Sequence, residues 1–225
     1  AERAIRDPAT PPEALARAGH TAQVAYRAIV ANPGWLPLVQ PHVPGDIQPA
    51  VAANVQAGAT LRSMITKPKE TLPDWRIVAP EPVEELIAHY KAAEAEFGVP
   101  WQYLAAVNLV ETRMGRIRGL SSAGAAGPMQ FMPATWAAYG EGGDINSYKD
   151  AIRAAARYLK ANGAPANMRT ALWNYNHSYK YVDAVTLYAQ QMQAQPRAIY
   201  GYYHWQVYYL TSSGDVLLPE GWVRQ

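Results

Sequence analysis

The most informative part of this 225-residue sequence is the run Val110-Glu111-Thr112-Arg113-Met114-Gly115-Arg116, followed shortly by Ser121-Ser122-Ala123-Gly124-Ala125-Ala126-Gly127-Pro128-Met129-Gln130-Phe131-Met132-Pro133. The first run places a carboxylate, Glu111, at the end of an apolar stretch. The second run is a loop rich in glycine, a residue that allows the main chain to approach a ligand closely. One well-placed acid followed by such a loop, with polar side chains on its far side, predicts a single site.

The segment before Glu111 reads as a helix over residues 101–112, opened by a proline and placing Leu104, Val107 and either Val110 or Glu111 on one inward face. A glutamic acid becomes a general acid when apolar surroundings raise its pKa towards neutrality. The helical pattern alone leaves a second interpretation open, in which Glu111 is a surface residue in an ion pair with Arg113 or Arg116.

The remainder of the chain divides by composition into three segments. Residues 1–79 are rich in alanine and interrupted by proline, and residues 80–199 carry the helical pattern with the motifs. Residues 200–225 are dense in aromatic and β-branched side chains around a turn, which predicts a small β-hairpin. The other predicted helices share apolar spacing and begin or end at caps and prolines: one opening at Pro12, then 22–30 capped by Thr21, 48–65, 81–97, 133–139, 148–162, 168–173 and 181–192.

These motifs resemble the catalytic segment of the lysozyme-like lytic transglycosylases, which cleave peptidoglycan. The Glu-Thr-x-x-Gly-Arg pattern at 111–116 is similar to the membrane-bound B type, and Gly-x-Met-Gln at 127–130 is shared with the soluble type, although Pro128 stands where leucine is common. Tyr175-Asn176 after a short helix resembles a third family motif. The resemblance implies a mainly α fold: a lysozyme-like catalytic domain in 80–199, an N-terminal helical extension and a small C-terminal β-hairpin.

The resemblance also implies roles for the site residues. Glu111 would be the sole acid and base, and the Tyr175 hydroxyl would place the substrate's acetamido group with Asn176 behind it as a support. Met129 would form an apolar floor, although ordinary core packing explains it equally well. The expected substrate-binding residues lie along the glycan groove: Ser121, Met129, Gln130, Tyr175 and Asn176.

The function implied is cleavage of the MurNAc-β-1,4-GlcNAc bond without water, which gives 1,6-anhydromuramyl ends. The alternatives are a hydrolytic muramidase of the same fold and a non-catalytic peptidoglycan-binding scaffold. Most glycosidases use a second carboxylate, for which Glu141, Asp144 and Asp183 are candidates, but the implied mechanism needs none. The turn at Asp144 lacks the register of a calcium loop, so we expect no metal and no cofactor. His177 is expected to be structural.

The composition limits the classes of partner that the protein is expected to bind. The formal net charge is +2 with no basic run, which argues against nucleic acid and leaves peptidoglycan glycan strands as the expected partner. There is no cysteine, so disulfides and thiolate metal sites are excluded, and no apolar run reaches the ~20 residues of a membrane span.

The chain starts at Ala1 without Met, consistent with removal of a signal peptide or anchor. The resemblance implies export to the cell envelope. The sequence makes no prediction of oligomeric state.

Overall fold

The computed structural model describes residues 1–224, in which α-helices predominate and two small antiparallel sheets complete the fold. The mainly α fold class predicted from the sequence is confirmed. The elements, numbered in chain order, are α1 (Glu2–Arg6), α2 (Pro12–Ala31), α3 (Trp35–Val39), α4 (Gln48–Arg62), β1 (Arg76–Ile77), α5 (Val83–Phe97), α6 (Trp101–Thr112), β2 (Ile117–Arg118), α7 (Pro133–Tyr139), α8 (Tyr148–Ala161), α9 (Met168–Tyr175), α10 (Tyr179–Ala194), α11 (Ala198–Tyr203), β3 (Val207–Thr211) and β4 (Gly214–Leu218). Within residues 1–224, no helix is both long and apolar enough to cross a bilayer.

These residues form two compact units, each assembled from two separate stretches of chain. The first unit contains residues 1–66 and 179–205, and the second contains residues 67–178 together with those from 206 onward. These limits differ from the predicted catalytic domain at 80–199, because α10 packs against α4 in the first unit. The assignment of a lysozyme-like domain to residues 80–199 stays a prediction.

In the first unit, α2 is a single 20-residue helix, so the prediction of two helices in this region is wrong. Thr21 lies inside α2 and does not cap a second helix. Gly19 serves helix packing instead: a Cβ at this position would lie 2.7 Å from the main-chain oxygen of Gly201 in α11. The glycine therefore permits a close approach of two helices and does not end one.

The core of the first unit contains a cluster of aromatic rings at the end of α11. The Trp205 ring lies 5.0 Å from that of Tyr202, 5.8 Å from that of Tyr188 and 6.3 Å from that of Tyr26. The β region predicted from Tyr200 therefore begins later, at Val207. Aromatic residues that were interpreted as strand formers stabilise helix packing here, since they bury large apolar areas in either structure.

In the second unit, α6 is the central helix and packs against α5 and α8, while α7 and α9 pack on α8. Its side chains are buried nearly all round, including Leu104, Val107 and Leu109 with no exposed surface. A helix that is apolar on every side belongs inside the protein. The sequence prediction for α6 is confirmed at both ends. The preceding helix, α5, ends at Gly98 in a left-handed conformation, as expected for a C-cap glycine.

The β elements of the second unit share one apolar cluster. Strands β3 and β4 form the predicted hairpin, with Val207 opposite Leu218. The buried side chains of Ile77, Val207 and Leu218 pack together, and the N–H of Ile77 donates to the carbonyl of Trp222 at 2.9 Å. Strands β1 and β2 pair with each other and were not predicted, because two residues carry no periodic signal.

Candidate active site

Glu111 lies in the last turn of α6, one residue before the helix ends at Thr112. Leu104 and Val107, which were predicted on the same face, are fully buried, whereas Val110 and Glu111 are half-buried. The carboxylate therefore stands where the helix leaves the core, with apolar interior on one side and solvent on the other. That position suits an acid that must both meet a substrate and be shielded from water.

The chain turns sharply just after Glu111, through three consecutive left-handed residues. Arg113, Met114 and Gly115 have φ values of 54°, 60° and 84°. For the two residues with a Cβ this conformation is uncommon and costs on the order of 1–2 kcal/mol each. Gly115 is required by packing as well, because a Cβ there would lie 2.2 Å from the ring of Tyr148. The Tyr148 hydroxyl donates to the carbonyl of Gly115 at 3.0 Å.

A network of buried side chains joins this turn to the glycine-rich loop. The Thr112 hydroxyl donates to the main-chain carbonyl of Pro128 at 2.6 Å, and the Asn108 side-chain amide donates to the same carbonyl at 2.8 Å. Asn108 in turn accepts a hydrogen bond of 2.6 Å from the Tyr90 hydroxyl, and Thr112 accepts one of 2.9 Å from the Gly115 N–H. Because these polar groups are buried and paired, they fix the position of the loop relative to Glu111.

Ser121 shapes the start of the loop. Its side-chain oxygen accepts hydrogen bonds from the N–H groups of Ala123 at 3.2 Å and Ala125 at 3.0 Å, and its own N–H donates to the Ala125 carbonyl at 2.9 Å. Among the described residues none accepts the hydroxyl proton of Ser121. The predicted contact between Ser121 and substrate would therefore use that proton, and it stays a prediction.

The second half of the loop folds back on itself between Ala126 and Phe131, whose main chains exchange two hydrogen bonds of 2.9 Å. Gly127 has a φ of 75°, and a Cβ there would lie 2.0 Å from the carbonyl oxygen of Ile145. This glycine therefore allows a close approach of two main-chain segments within the protein, and the predicted approach of the loop to a ligand stays a prediction. Gly124 also has a positive φ, 88°, but its missing Cβ faces open space.

Gln130 and Met129 occupy different environments in this loop. Gln130 is half-buried in a left-handed conformation with a φ of 53°, and its side-chain amide donates to the Gly127 carbonyl at 3.1 Å. The Met129 side chain is fully buried beneath the loop. As it stands, Met129 supports the loop from below without reaching the surface, and its role as a substrate-binding residue remains a prediction.

Tyr175 ends α9 and connects that helix to the loop. Its hydroxyl donates to the main-chain carbonyl of Met129 at 2.7 Å. Burial raises the pKa of Tyr175 well above its usual range, and the negative charge of Glu111 raises this pKa further. The phenol is therefore protonated throughout the physiological pH range and lies within electrostatic reach of the Glu111 carboxylate. The sequence predicted both residues for one site, and that assignment stays a prediction.

A set of aromatic rings continues from Tyr175 towards α7 and α8. The ring of Tyr175 lies 6.0 Å from that of Phe131 and 5.7 Å from that of Tyr158. Phe131 contacts Trp136 at 5.4 Å between ring centroids, and Tyr158 contacts Tyr139 at 4.9 Å. The outer residues, Trp136 and Tyr139, are half-buried and therefore partly open to solvent. Aromatic rings can pack with their flat faces on the apolar C–H faces of sugar rings.

The residues after Tyr175 have less defined roles. Asn176 is half-buried just beyond the end of α9, where its N–H donates to the Leu172 carbonyl at 3.1 Å. Its predicted support of Tyr175 remains a prediction. His177 is exposed and its ring packs edge-on against Trp173, with 4.5 Å between centroids.

The other carboxylates considered from the sequence have structural partners. Glu141 forms ion pairs with Arg153 and Arg157 of α8. The side chain of Asp144 accepts a hydrogen bond from the N–H of Asn146 at 2.9 Å, which is turn chemistry as predicted. Asp183 also has an interaction partner and belongs to the first unit. Across residues 1–224, no three His, Asp or Glu side chains are grouped as metal ligands would be.

Sequence reasoning did not identify the buried network of Tyr90, Asn108 and Thr112. One signal was available: Asn108 and Thr112 are polar residues four apart in an otherwise apolar helix, so they share a face. Their partner Pro128 is 16 and 20 residues away in the sequence. A pairing over that distance leaves no local pattern.

Comparison with known proteins gives one result for this region. Residues 119–172 match the family model described as Transglycosylase SLT domain. The match contains the glycine-rich loop, α7 and α8, whereas Glu111 precedes it and Tyr175 follows it. No curated protein and no solved structure matches the chain. Through residues 119–172, the chain is thus recognised as similar to the lytic transglycosylases of the lysozyme-like superfamily.

Proposed function

We propose that this chain is a peptidoglycan lytic transglycosylase, which cleaves the MurNAc-β-1,4-GlcNAc bond without water and leaves a 1,6-anhydromuramyl end. One observation carries the proposal: Glu111, half-buried at the end of α6, lies within electrostatic reach of Tyr175 next to a loop inside the matched transglycosylase segment. The match itself supports a peptidoglycan-cleaving enzyme at the level of the family.

The first step needs an acid at the leaving oxygen. Protonated Glu111 gives its proton to the glycosidic oxygen while the bond from that oxygen to the anomeric carbon breaks. The carbonyl oxygen of the 2-acetamido group on the same muramyl ring bonds to the anomeric carbon from the opposite face. The GlcNAc fragment leaves with a new hydroxyl, and Glu111 is left as a carboxylate.

The second step returns Glu111 to its starting form. The carboxylate takes the proton of the muramyl 6-hydroxyl, whose oxygen bonds to the anomeric carbon as the acetamido oxygen leaves. The product is the 1,6-anhydro ring. The 6-hydroxyl competes well with water because it is held in the same molecule, where its effective concentration is very high.

Tyr175 has a specific part in this scheme. Its hydroxyl proton is donated to the Met129 carbonyl, so a lone pair of the phenol oxygen is left to accept a hydrogen bond. That lone pair can accept the N–H of the acetamido group and turn the acetamido oxygen towards the anomeric carbon. Tyr175 would therefore position the internal nucleophile, while its own proton keeps the loop in place.

The partners of the other candidate carboxylates support a single-acid mechanism. Glu141 is ion-paired with two arginines, and Asp144 is engaged in a turn, so neither is poised as a nucleophile. A retaining glycosidase would need a second carboxylate about 5–5.5 Å from the acid. Because peptidoglycan lies outside the cytoplasmic membrane, the proposed activity also requires export to the cell envelope.

The test is the chemistry of the product ends. The protein is incubated with purified peptidoglycan, and the new muramyl ends are identified by mass, since anhydro and reducing ends differ by one water. Anhydromuramyl ends are expected to predominate. Reducing ends would assign the chain as a muramidase of the same fold, and no new ends with retained binding to peptidoglycan would favour a non-catalytic scaffold.

A further inference from the structure

An open cleft of about 610 Å³ adjoins the glycine-rich loop in the second unit. Arg76 of β1 and Arg118 of β2 line one side of it, and Gly127 of the loop lines another. Leu120, with 63% of its side chain exposed, adds an apolar surface. The cleft therefore has two cations and an apolar patch next to the loop that the proposed function assigns to the glycan.

The two arginines are opposite each other in the antiparallel pair of β1 and β2. Residues in direct register project to the same face, and like charges in that arrangement are destabilising. Burial favours this register, because Ile77 is buried and Ile117 packs against the same apolar cluster. A slip of one residue would expose these isoleucines, so the fold keeps the two positive charges together.

Little in the protein offsets this repulsion. Within residues 1–224 neither Arg76 nor Arg118 has a carboxylate partner, and none of the described residues that line the cleft is acidic. Glu220 pairs with Arg116 instead, at 3.2 Å. Arg118 is held by a hydrogen bond of 3.3 Å to the Asn146 carbonyl and lies 4.9 Å from the centroid of the Tyr148 ring, while Arg76 is exposed.

We propose that this arginine cleft, formed by Arg76 and Arg118 beside Gly127, binds a carboxylate of the peptide stem carried by the glycan strand. The inference rests on the proposed function, and it names the substrate class: glycan that still bears its acidic peptides. Planar guanidinium groups bind carboxylates with two parallel hydrogen bonds, and an anion between the two arginines relieves their repulsion. The muramyl sugar carries the peptide, so a carboxylate close to the scissile bond is available.

The experiment compares two substrates. One is purified glycan with intact peptide stems, and the other is the same glycan after an amidase has removed the peptides. Arg76→Gln and Arg118→Gln are each expected to lower kcat/KM on the peptide-bearing glycan about 10-fold, as for the loss of a charge-assisted pair, and to leave it within about 2-fold on the stripped glycan. Arg118→Lys, which keeps the charge but loses the fork of donors, should fall between.

Lys91→Gln removes the same charge from an exposed position on α5 and is the control for net charge, while thermal unfolding checks that each variant is folded. An equal loss on both substrates, or no loss on either, would overturn the inference and leave the proposed function standing. If the wild type cleaves neither substrate, the proposed function fails instead. Calorimetry with a disaccharide peptide and its fully amidated form then decides the inference: tighter binding of the acidic form, abolished by Arg76→Gln, upholds it, and equal binding rejects it.

Discussion

The two units of this protein differ in their backbone conformations, and only the second contains the residues of the candidate site. Every described residue with a positive φ lies in the second unit, and the described part of the first unit has none. Four of these residues are not glycine: Arg113, Met114, Gln130 and Glu141. The first unit consists of helices, in which the Tyr202 hydroxyl donates to the buried side chain of Asn54 at 2.8 Å.

The difference shows where this fold accepts strain. Arg113 and Met114 follow Glu111 after one intervening residue, and Gln130 lies in the loop that Tyr175 and Thr112 hold in place. Left-handed conformations of residues with a Cβ persist only where surrounding contacts enforce them, and they concentrate at functional sites. The described helices of the first unit keep ordinary backbone conformations, whereas the second unit holds the turn after Glu111 and the loop in a less favourable geometry.

The largest expected effect comes from the acid itself. Glu111→Gln keeps the size and hydrogen-bonding capacity of the side chain but removes its catalytic proton, so the rate of peptidoglycan cleavage should fall about 100-fold or more with an unchanged fold. Release of soluble fragments from purified peptidoglycan measures the rate. Glu84→Gln, at an exposed position on α5, is the matched control. If Glu111→Gln kept more than about a tenth of the wild-type rate, the acid would have to be assigned to another residue.

Tyr175→Phe should have the next largest effect, because it removes both the oxygen offered to the acetamido group and the hydrogen bond to Met129. We expect kcat to fall about 10- to 1000-fold, the range for oriented hydrogen-bonding groups, with little change in KM. The remaining product should still have anhydro ends. Tyr103→Phe removes a hydroxyl from the partly buried tyrosine of α6 and serves as the control. An unchanged kcat would remove Tyr175 from the site without affecting the assignment of Glu111.

Substitution of two glycines in the same loop distinguishes the cost of a positive φ from the cost of a steric clash. Gly127→Ala adds a Cβ 2.0 Å from the Ile145 carbonyl and should lower the free energy of unfolding by about 2–4 kcal/mol. Gly124→Ala carries only the cost of a positive φ in open space, about 1 kcal/mol. Denaturant titration measures both values. Equal destabilisation by the two substitutions would mean that the main chain at 127 moves away from Ile145 at little cost.

The smallest effect tests the first unit. Tyr202→Phe removes the buried hydrogen bond to Asn54 and should lower the free energy of unfolding by about 1–2 kcal/mol. The cleavage rate per folded molecule should stay the same, because every residue of the candidate site belongs to the second unit. Tyr200→Phe, whose ring packs under Arg197, is the control for loss of a less buried hydroxyl. A reduced rate with Tyr202→Phe at full folding would contradict the separation of roles.

The sequence predicted well those features that depend on neighbouring residues. Helices α6 and α7 begin and end where expected, since prolines open them and Thr112 and Gly140 lie at their ends. Thr21 was wrongly predicted to cap a second helix, because a threonine inside a helix and one at an N-cap look the same in a single sequence. Tertiary packing also overrode the strand pattern at 200–203, which lies in helix α11 with the Tyr202 side chain buried.

In the candidate site too, the sequence predicted the local features but not the contacts between distant residues. The motifs that contain Glu111, the loop and Tyr175 could be recognised in the sequence, whereas their joint role in one site stays a prediction. Two other features depend on main-chain groups that are far apart in the sequence. One is the set of hydrogen bonds from Thr112 and Asn108 to the Pro128 carbonyl, and the other is the strand register that places Arg76 opposite Arg118. Such contacts form only when the chain has folded, and no periodic pattern in the sequence predicts them.

The interleaving of the two units has a consequence for synthesis of the protein. Neither unit is a continuous piece of chain: the first requires residues 179–205, and the second requires the residues that follow, including Trp222, which hydrogen-bonds to Ile77. A ribosome that has translated the chain as far as Tyr175 has produced the acid, the loop and the tyrosine, yet both units are still incomplete. Neither unit can therefore complete its fold before those later residues have been made, and the long-range contacts that close each unit form more slowly than local ones.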